Sequence, residues 1–288
     1  MRKAFADTLL TLATNDSKII LLTGDLGFGV FDQYQTDFPD RFINVGICEQ
    51  AMVDIAAGLA LEGYKPIVYS IASFMTGRAW EQIKVSLAYQ NLPVVVVGAG
   101  GGYTYSTAGT THHAAEDLGL MSLLPGVTVT APGCPSEVSA LLPQLIELDG
   151  PSYMRIGKYG EAEYVGEEVK VGKASCIRSG QGASIVTTGD MASKCLDVVG
   201  PQIWQFHTIK PLDTATLASI PEPIIVVEEH SPYNGLYAAI MATGISSDVI
   251  RIGPKDELLL DSISREEFHK RNEMDVESIQ RICWESRS

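Results

Sequence analysis

The sequence predicts an α/β protein built as two consecutive domains with mostly parallel sheets. Short apolar runs, rich in β-branched residues and bounded by Gly or Pro, recur along the chain, as strands buried on both faces require. Segments of helical period lie between them, which is the alternation of a parallel sheet. A polar, glycine-punctuated stretch breaks the rhythm at residues 151–175, and 288 residues suit about two domains.

The opening MRKAFADTLLTLATND has a basic head and an apolar part broken by Asp7, so it reads as an amphipathic helix and not as a secretory signal. Ile19–Thr23, Pro66–Ser70, Pro93–Gly98 and Val127–Ala131 read as strands. Glu49–Glu62, Arg78–Tyr89 and Ser136–Leu148 read as the helices between them. The stretch 151–175, with GKYGEAEYVGEEVKVGKAS at its heart, reads as a linker carrying a short hairpin. A second set follows. Ala183–Thr188, Ile203–His207, Ile224–Glu228 and Val249–Ile252 suit strands, and Asp190–Val199 and Gly235–Ala242 suit helices. The division falls near residue 165, giving domains 1–165 and 166–288.

Composition narrows the function. Apolar residues make up 45% and charged residues 19%, which excludes a disordered chain. Twenty-one Lys and Arg stand against 35 Asp and Glu, a net charge of -14 that repels phosphate backbones, so nucleic acid is not an expected partner. No stretch approaches the roughly 18 to 20 apolar residues that span a membrane. Five cysteines without CxxC spacing suit reduced thiols and a cytoplasmic setting.

Few segments carry candidate chemistry. Glu49 opens a helix, where the dipole favours its charge and where an acid serves equally well as plain helix stabilisation. The small residues Ala56, Ala57, Gly58 and Ala60 let that helix pack closely, so Glu49 is expected to be partly buried. Phe74 precedes the next helix and would suit a core as well as a site. The cluster Gly98-Ala99-Gly100-Gly101-Gly102 lets backbone approach a ligand or neighbour, but neither nucleotide fingerprint fits it. His112 and His113, with Glu116 and Asp117 beyond them, form the richest polar segment. Adjacent histidines point apart, unlike the i, i+4 pairs of helical zinc sites, so no protein-held metal is expected and a proton shuttle or substrate contact is favoured. No GxSxG or defensible Cys-His pair supports a hydrolase.

Taken together, RFINVGICEQAMVDIAAGLALEG, SFMTGRAWEQIK, AGTTHHAAEDLGLMSLLPGVTVTAP, FHTIKPLD and VVEEHSPYNGL resemble the transketolase family. More closely, they are similar to the C-terminal subunit of a split, two-chain transketolase, which carries the pyrimidine-binding and C-terminal domains of a thiamine diphosphate enzyme. The resemblance runs from Arg2 to about Ile252. It implies that Glu49 hydrogen-bonds the cofactor's aminopyrimidine ring and helps the thiazolium carbon lose its proton. Phe74 then stacks on the pyrimidine, Arg78 of the same motif belongs with the cofactor-binding residues, and Asp25 lies near the cofactor and the subunit contact. His112 matches the histidine beside the substrate carbonyl, and His113 stands where the family has Gln. The family's diphosphate domain has no counterpart in this sequence. The resemblance therefore implies that an N-terminal partner subunit holds the diphosphate and Mg²⁺, in a heterotetramer of two copies of each chain.

The departures concern the substrate. Gly29, Gly100 and Ala108 stand where the family places Ser, His and Asp around the sugar phosphate, and Lys158 stands for an Arg. Tyr103 and Tyr105, in the same loop, are expected to line the space left by these small residues. The expected reaction is transfer of a two-carbon ketol or related acyl unit from a ketol donor to an aldehyde acceptor, with a substrate that lacks a terminal phosphate or is bulkier than a pentose. Two alternatives stay open: the beta subunit of a two-oxoacid dehydrogenase, and a non-catalytic regulatory or scaffolding relative.

Overall fold

The structure is a computed structural model and describes residues 1–158, 161–164, 168–245 and 248–286. Helix α1 (Arg2–Asn15) confirms the opening amphipathic segment, and β1 (Ile19–Thr23), α2 (Asp32–Asp37) and β2 (Phe42–Asn44) follow. Next come α3 (Glu49–Leu61) and β3 (Lys65–Ile71). The helix expected from Arg78 begins earlier and is wider: π-type turns at Phe74–Arg78 and Ile83–Ala88 flank the short α4 (Trp80–Gln82). The first half continues through β4 (Val95–Ala99), α5 (Asp117–Ser122), β5 (Thr128–Thr130), α6 (Pro135–Ile146) and β6 (Ser152–Ile156). The second half opens with β7 (Ser175–Arg178), β8 (Ser184–Thr187), α7 (Met191–Cys195), β9 (Gln202–Gln205) and β10 (Thr208–Lys210). It ends with α8 (Thr214–Ser219), β11 (Ile224–Val227), α9 (Gly235–Met241), β12 (Val249–Ile252), α10 (Arg265–Arg271) and α11 (Val276–Glu285).

A seven-stranded sheet has the order β10-β5-β6-β4-β3-β1-β2, and a five-stranded sheet the order β12-β11-β8-β9-β7. Among the described residues, every pairing of these strands is parallel except β10 with β5 and β7 with β9. All five residues of β1 are buried, as its uninterrupted Ile-Ile-Leu-Leu-Thr requires. Phe5 and Leu9 of α1 pack with Val138, Leu141 and Leu145 of α6 over one face of the first sheet. Met52, Val53 and Ala56 of α3 pack with Ile83 and Leu87 over the other.

One expectation is corrected. Residues 152–156 are not linker: β6 lies inside the first sheet between β4 and β5, with all five residues buried. Ser152 and Arg155 hide it in the sequence, because the ion pairs that let an arginine be buried there come from distant residues. No hairpin stands among the described residues of the stretch; residues 159–160 and 165–167, and with them the division at 165, lie outside the described residues. In addition, β10 crosses from the second half to pair antiparallel with β5, so the two halves share a sheet. The second half also ends in two unforeseen helices. Ser264 caps α10 by accepting the Glu267 N–H at 3.1 Å, the S-x-x-E pattern of a capping box, and Asp275 caps α11 through the Ser278 N–H, also at 3.1 Å.

Candidate active site

The loops that leave the carboxyl ends of β1, β2, β3 and β4 converge, at the edge where parallel α/β sheets bind ligands. Glu49, first residue of α3, is 1% exposed, more deeply buried than the small residues of its helix suggested. Its carboxylate is not left alone. Ser70, at the end of β3, donates Oγ–H to Oε1 at 3.1 Å, and Arg78 donates from Nη1 to Oε2 at 2.7 Å. A buried carboxylate without such partners would be costly. The Gly24 backbone passes beside the same carboxylate: an added Cβ would meet Oε1 at 3.6 Å.

Arg78 reaches from the π-type turn across Phe74, its guanidinium carbon 4.6 Å from the ring centroid. Turns of this kind recur at functional sites. Phe74 in turn meets His112, ring centroids 5.0 Å apart and inclined at 64°. His112 is half-buried; Thr111 Oγ1 stands 2.9 Å from its Nδ1, and Ser73 Oγ donates to the Thr111 carbonyl at 3.4 Å, tying the loop to the end of β3. One contiguous line thus runs Ser70, Glu49, Arg78, Phe74, His112.

Beyond His112 the line continues to Tyr105, at 5.8 Å between centroids, and Lys158 places Nζ 3.9 Å from the Tyr105 centroid. Lys158 also lines a cavity of about 670 Å³ together with Arg2, Lys3, Asp7, Gly29 and Asp32. The sequence offered one cation here, and the structure brings three. Gly100, at φ +74°, has Tyr105 directly against it: a Cβ there would stand 2.2 Å from Cε2 of the ring.

Asp25 stays in the loop that follows β1, and other expected residues take places off this line. Asp25 is exposed, in the left-handed region at φ 59°, and exchanges two hydrogen bonds with Asn44, its N–H to Oδ1 at 3.0 Å and Asn44 Nδ2 to its Oδ1 at 3.2 Å. His113 is buried and donates Nε2–H to the Ser106 carbonyl at 3.0 Å, which occupies it in the loop and leaves His112 alone against Phe74. Tyr103 does not line open space. Its ring is 6% exposed and stacked on Phe268 of α10 at 3.8 Å, and burial pushes its phenol up to about 12. Asp117 is a buried structural acid: it accepts from the Tyr153 hydroxyl at 2.8 Å and pairs with Arg155, and although burial opposes its charge, Arg155 and His230 hold the carboxyl below its ordinary range. Ser70 went unnoticed in the sequence, although a lone hydroxyl ending an apolar strand run was the available signal.

Residues 1–159 match the family described as transketolase, pyrimidine binding domain. The chain is 33% identical over 284 residues to one of the subunits of the apulose-4-phosphate transketolase of Phocaeicola vulgatus, covering 93% of this chain and 91% of that protein. It is 33% identical over 253 residues to a 6-deoxy-6-sulfo-D-fructose transketolase subunit of Clostridium sp. strain MSTE9, covering 83% of this chain and 79% of the other. Among solved structures, one described as a split gene transketolase, inactive beta4 tetramer, superposes with a TM-score of 0.86 at 26% identity, over 99% of this chain and 97% of that one.

Proposed function

The chain belongs to the transketolase family, and from that premise we propose that it is the C-terminal subunit of a two-chain enzyme that uses thiamine diphosphate to move a two-carbon ketol unit from a ketose to an aldehyde. One observation carries the reading: the buried Glu49 carboxylate, held by Ser70 and Arg78, stands beside the paired rings of Phe74 and His112. That set fits the pyrimidine end of the cofactor. A ring nitrogen needs a carboxyl partner shielded from water, and the flat ring needs an aromatic face; both are present on one edge of the sheet.

When bound, thiamine diphosphate supplies the carbanion chemistry, and the protein orients and tunes it. Glu49 holds a proton at the pyrimidine ring nitrogen, with Ser70 and Arg78 fixing its two oxygens. Phe74 supplies the stacking face. His112, kept in place by Thr111, offers a ring nitrogen to the substrate oxygen. Asp25 belongs to the rim where a second subunit would close the site.

The matched family domain is the pyrimidine-binding one, and the relatives named above are subunits. We therefore assign the diphosphate and Mg²⁺ to an N-terminal partner subunit, in a heterotetramer of two copies of each chain, since symmetric pairing is the common form of such assemblies. No helix among the described residues is long and apolar enough to cross a membrane, and the cytoplasmic setting rests on the cysteine pattern of the sequence.

The substrate we propose contacts Tyr105 and Lys158 with its far end, in place of a pocket of several phosphate donors. Gly29 and Gly100 carry no side-chain donor, and Tyr105 covers the space beside Gly100. The two relatives are named for sugars bearing a phosphate and a sulfonate, so donors with and without a terminal anion form the deciding comparison. The test is reconstitution with the partner subunit and a donor screen. Ketol transfer is expected only from the assembled enzyme. Turnover of a 2-oxoacid with a lipoyl acceptor, and of no ketose, would overturn the reading.

A further inference from the structure

Glu228, Glu229 and His230, which follow β11, are all buried. Glu228 accepts the N–H groups that open α9, from Leu236 at 2.6 Å and Tyr237 at 3.0 Å, and His230 bridges it to Arg155. Glu229 has different partners. Arg265 of α10 grips it with a fork, Nε to Oε1 and Nη2 to Oε2, both at 2.7 Å, and His269 of the same helix contacts Oε1. Its remaining contact leaves the second half of the chain altogether: the Tyr103 N–H donates to Oε2 at 3.1 Å.

That N–H belongs to the loop that carries Tyr105 and His112. Gly102, at φ +58°, lies so close that a Cβ there would stand 2.3 Å from Glu229 Oε2. Gly102 also exchanges two backbone bonds with Ala114, at 3.1 and 2.9 Å, joining the glycine segment to the residues just past His112. The Tyr103 ring rests on Phe268, which sits on α10 with Arg265 and His269. Two further bonds reach the same loop, Thr110 Oγ1 to the Leu259 carbonyl and Ser262 Oγ to the Thr107 carbonyl, both at 3.0 Å.

We propose that Glu229 is a positioning residue for the reaction: by accepting the Tyr103 N–H beside Gly102 it fixes the 101–114 loop, and so sets His112 against Phe74 and Tyr105 against His112. The inference rests on the ketol-transfer reading above. Packing alone does not call for a carboxylate here, since buried ion pairs are commonly replaceable by apolar side chains without loss of stability. What an apolar side chain cannot do is accept a loop N–H at a fixed point. Burial opposes the charge on Glu229, but Arg265 and His269 hold its carboxyl well below the usual range, so it remains an ionised acceptor.

The experiment compares Glu229→Met, which removes the acceptor, and the milder Arg265→Lys with wild type in the assembled two-subunit enzyme. Opening of the 101–114 loop should speed its backbone amide exchange by about tenfold or more. Ketol-transfer kcat should fall by roughly ten- to a hundredfold, the scale of small misplacements at a reacting centre. Proton exchange at the thiazolium carbon, which depends on Glu49, should stay within about twofold of wild type. Arg265→Lys keeps the charge and loses the fork, so it should show the same pattern more weakly and keeps the test decisive if Glu229→Met misfolds. Unchanged amide exchange with unchanged kcat would overturn the proposal. So would a parallel loss of thiazolium exchange and turnover that tracks the folded fraction. If wild type transfers no ketol from any donor, the functional reading fails, and the amide-exchange comparison still decides the role of Glu229 in the loop.

Discussion

Arg155 Nη1 lies 3.4 Å from Asp117 Oδ1, and both side chains are buried where the two halves of the chain meet. Arg155 comes from β6 and Asp117 from α5, while His230, following β11 in the second half, contacts Arg155 with Nε2 and donates Nδ1–H to Glu228 at 3.1 Å. Removing one member strands the other charge in a dry place. Arg155→Met should therefore cost roughly 3 to 5 kcal/mol, measured as a fall in the urea midpoint. The double variant with Asp117→Asn should lose less than the two single changes added together; strict additivity would show that the pair does not interact.

Glu49→Gln should leave the fold standing, because Gln keeps the size of the side chain and an acceptor for Ser70, and the Arg78 left behind is 40% exposed, where water takes up its charge. Its effect belongs to the cofactor. Proton exchange at the thiazolium carbon of the assembled enzyme should slow by orders of magnitude, and near-normal exchange would reduce Glu49 to a helix-start acid. His112→Ala should spare that exchange and lower kcat for ketol transfer, since His112 meets Phe74 and Tyr105 and lies beyond the Glu49 carboxylate in the line of contacts.

Local residue type made much of this site legible. The apolar runs ending at Thr23, Ser70 and Gly98 marked three strands, and so the edge on which Glu49, Phe74 and His112 meet. What escaped depends on partners distant in the chain. Ser152–Ile156 looked polar because Arg155 finds Asp117 and His230 only in the folded protein. Tyr103 looked like a site residue because its loop is one, yet its cover is Phe268, 165 positions further on, in a helix whose own signal was a capping box at Ser264. The Glu-Glu-His run was recognisable as a motif, but nothing local tells that adjacent Glu228 and Glu229 serve a helix start and a distant loop.

His207 makes the protein acid-sensitive. It is fully buried, its Nε2 has no partner among the described residues, and burial lowers its pKa to about 4 from the ordinary 6.5. The unfolded chain therefore takes up a proton below about pH 6.5 that the folded chain refuses until about pH 4. The sign follows: this contribution is complete above pH 6.5 and is lost as the pH falls, by roughly 3 kcal/mol once pH 4 is reached. Urea midpoints at pH 7 and near pH 4 should differ more in wild type than in His207→Gln. Equal differences would mean that carboxylates such as Asp117 carry the whole acid response.

Tyr105 decides the substrate prediction. Its ring occupies the place that any side chain at Gly100 would need, and it takes the Lys158 ammonium onto its face. A terminal phosphate binds through several charge-assisted hydrogen bonds of roughly 1.5 to 3 kcal/mol each, and a single lysine laid on a ring supplies little of that. The assembled wild-type enzyme should therefore favour xylulose 5-phosphate over a non-phosphorylated ketol by well under a hundredfold in kcat/KM. Tyr105→Ala removes the ring, lets Lys158 turn with Arg2 toward their shared cavity, and should raise the preference for the phosphorylated donor by about tenfold or more, the lower end of the worth of one such hydrogen bond. Adding Lys158→Met should cancel the gain. A hundredfold preference for the sugar phosphate in wild type would mean that Arg2, Lys3 or the partner subunit already completes a phosphate site, and the proposed role of Tyr105 would be wrong.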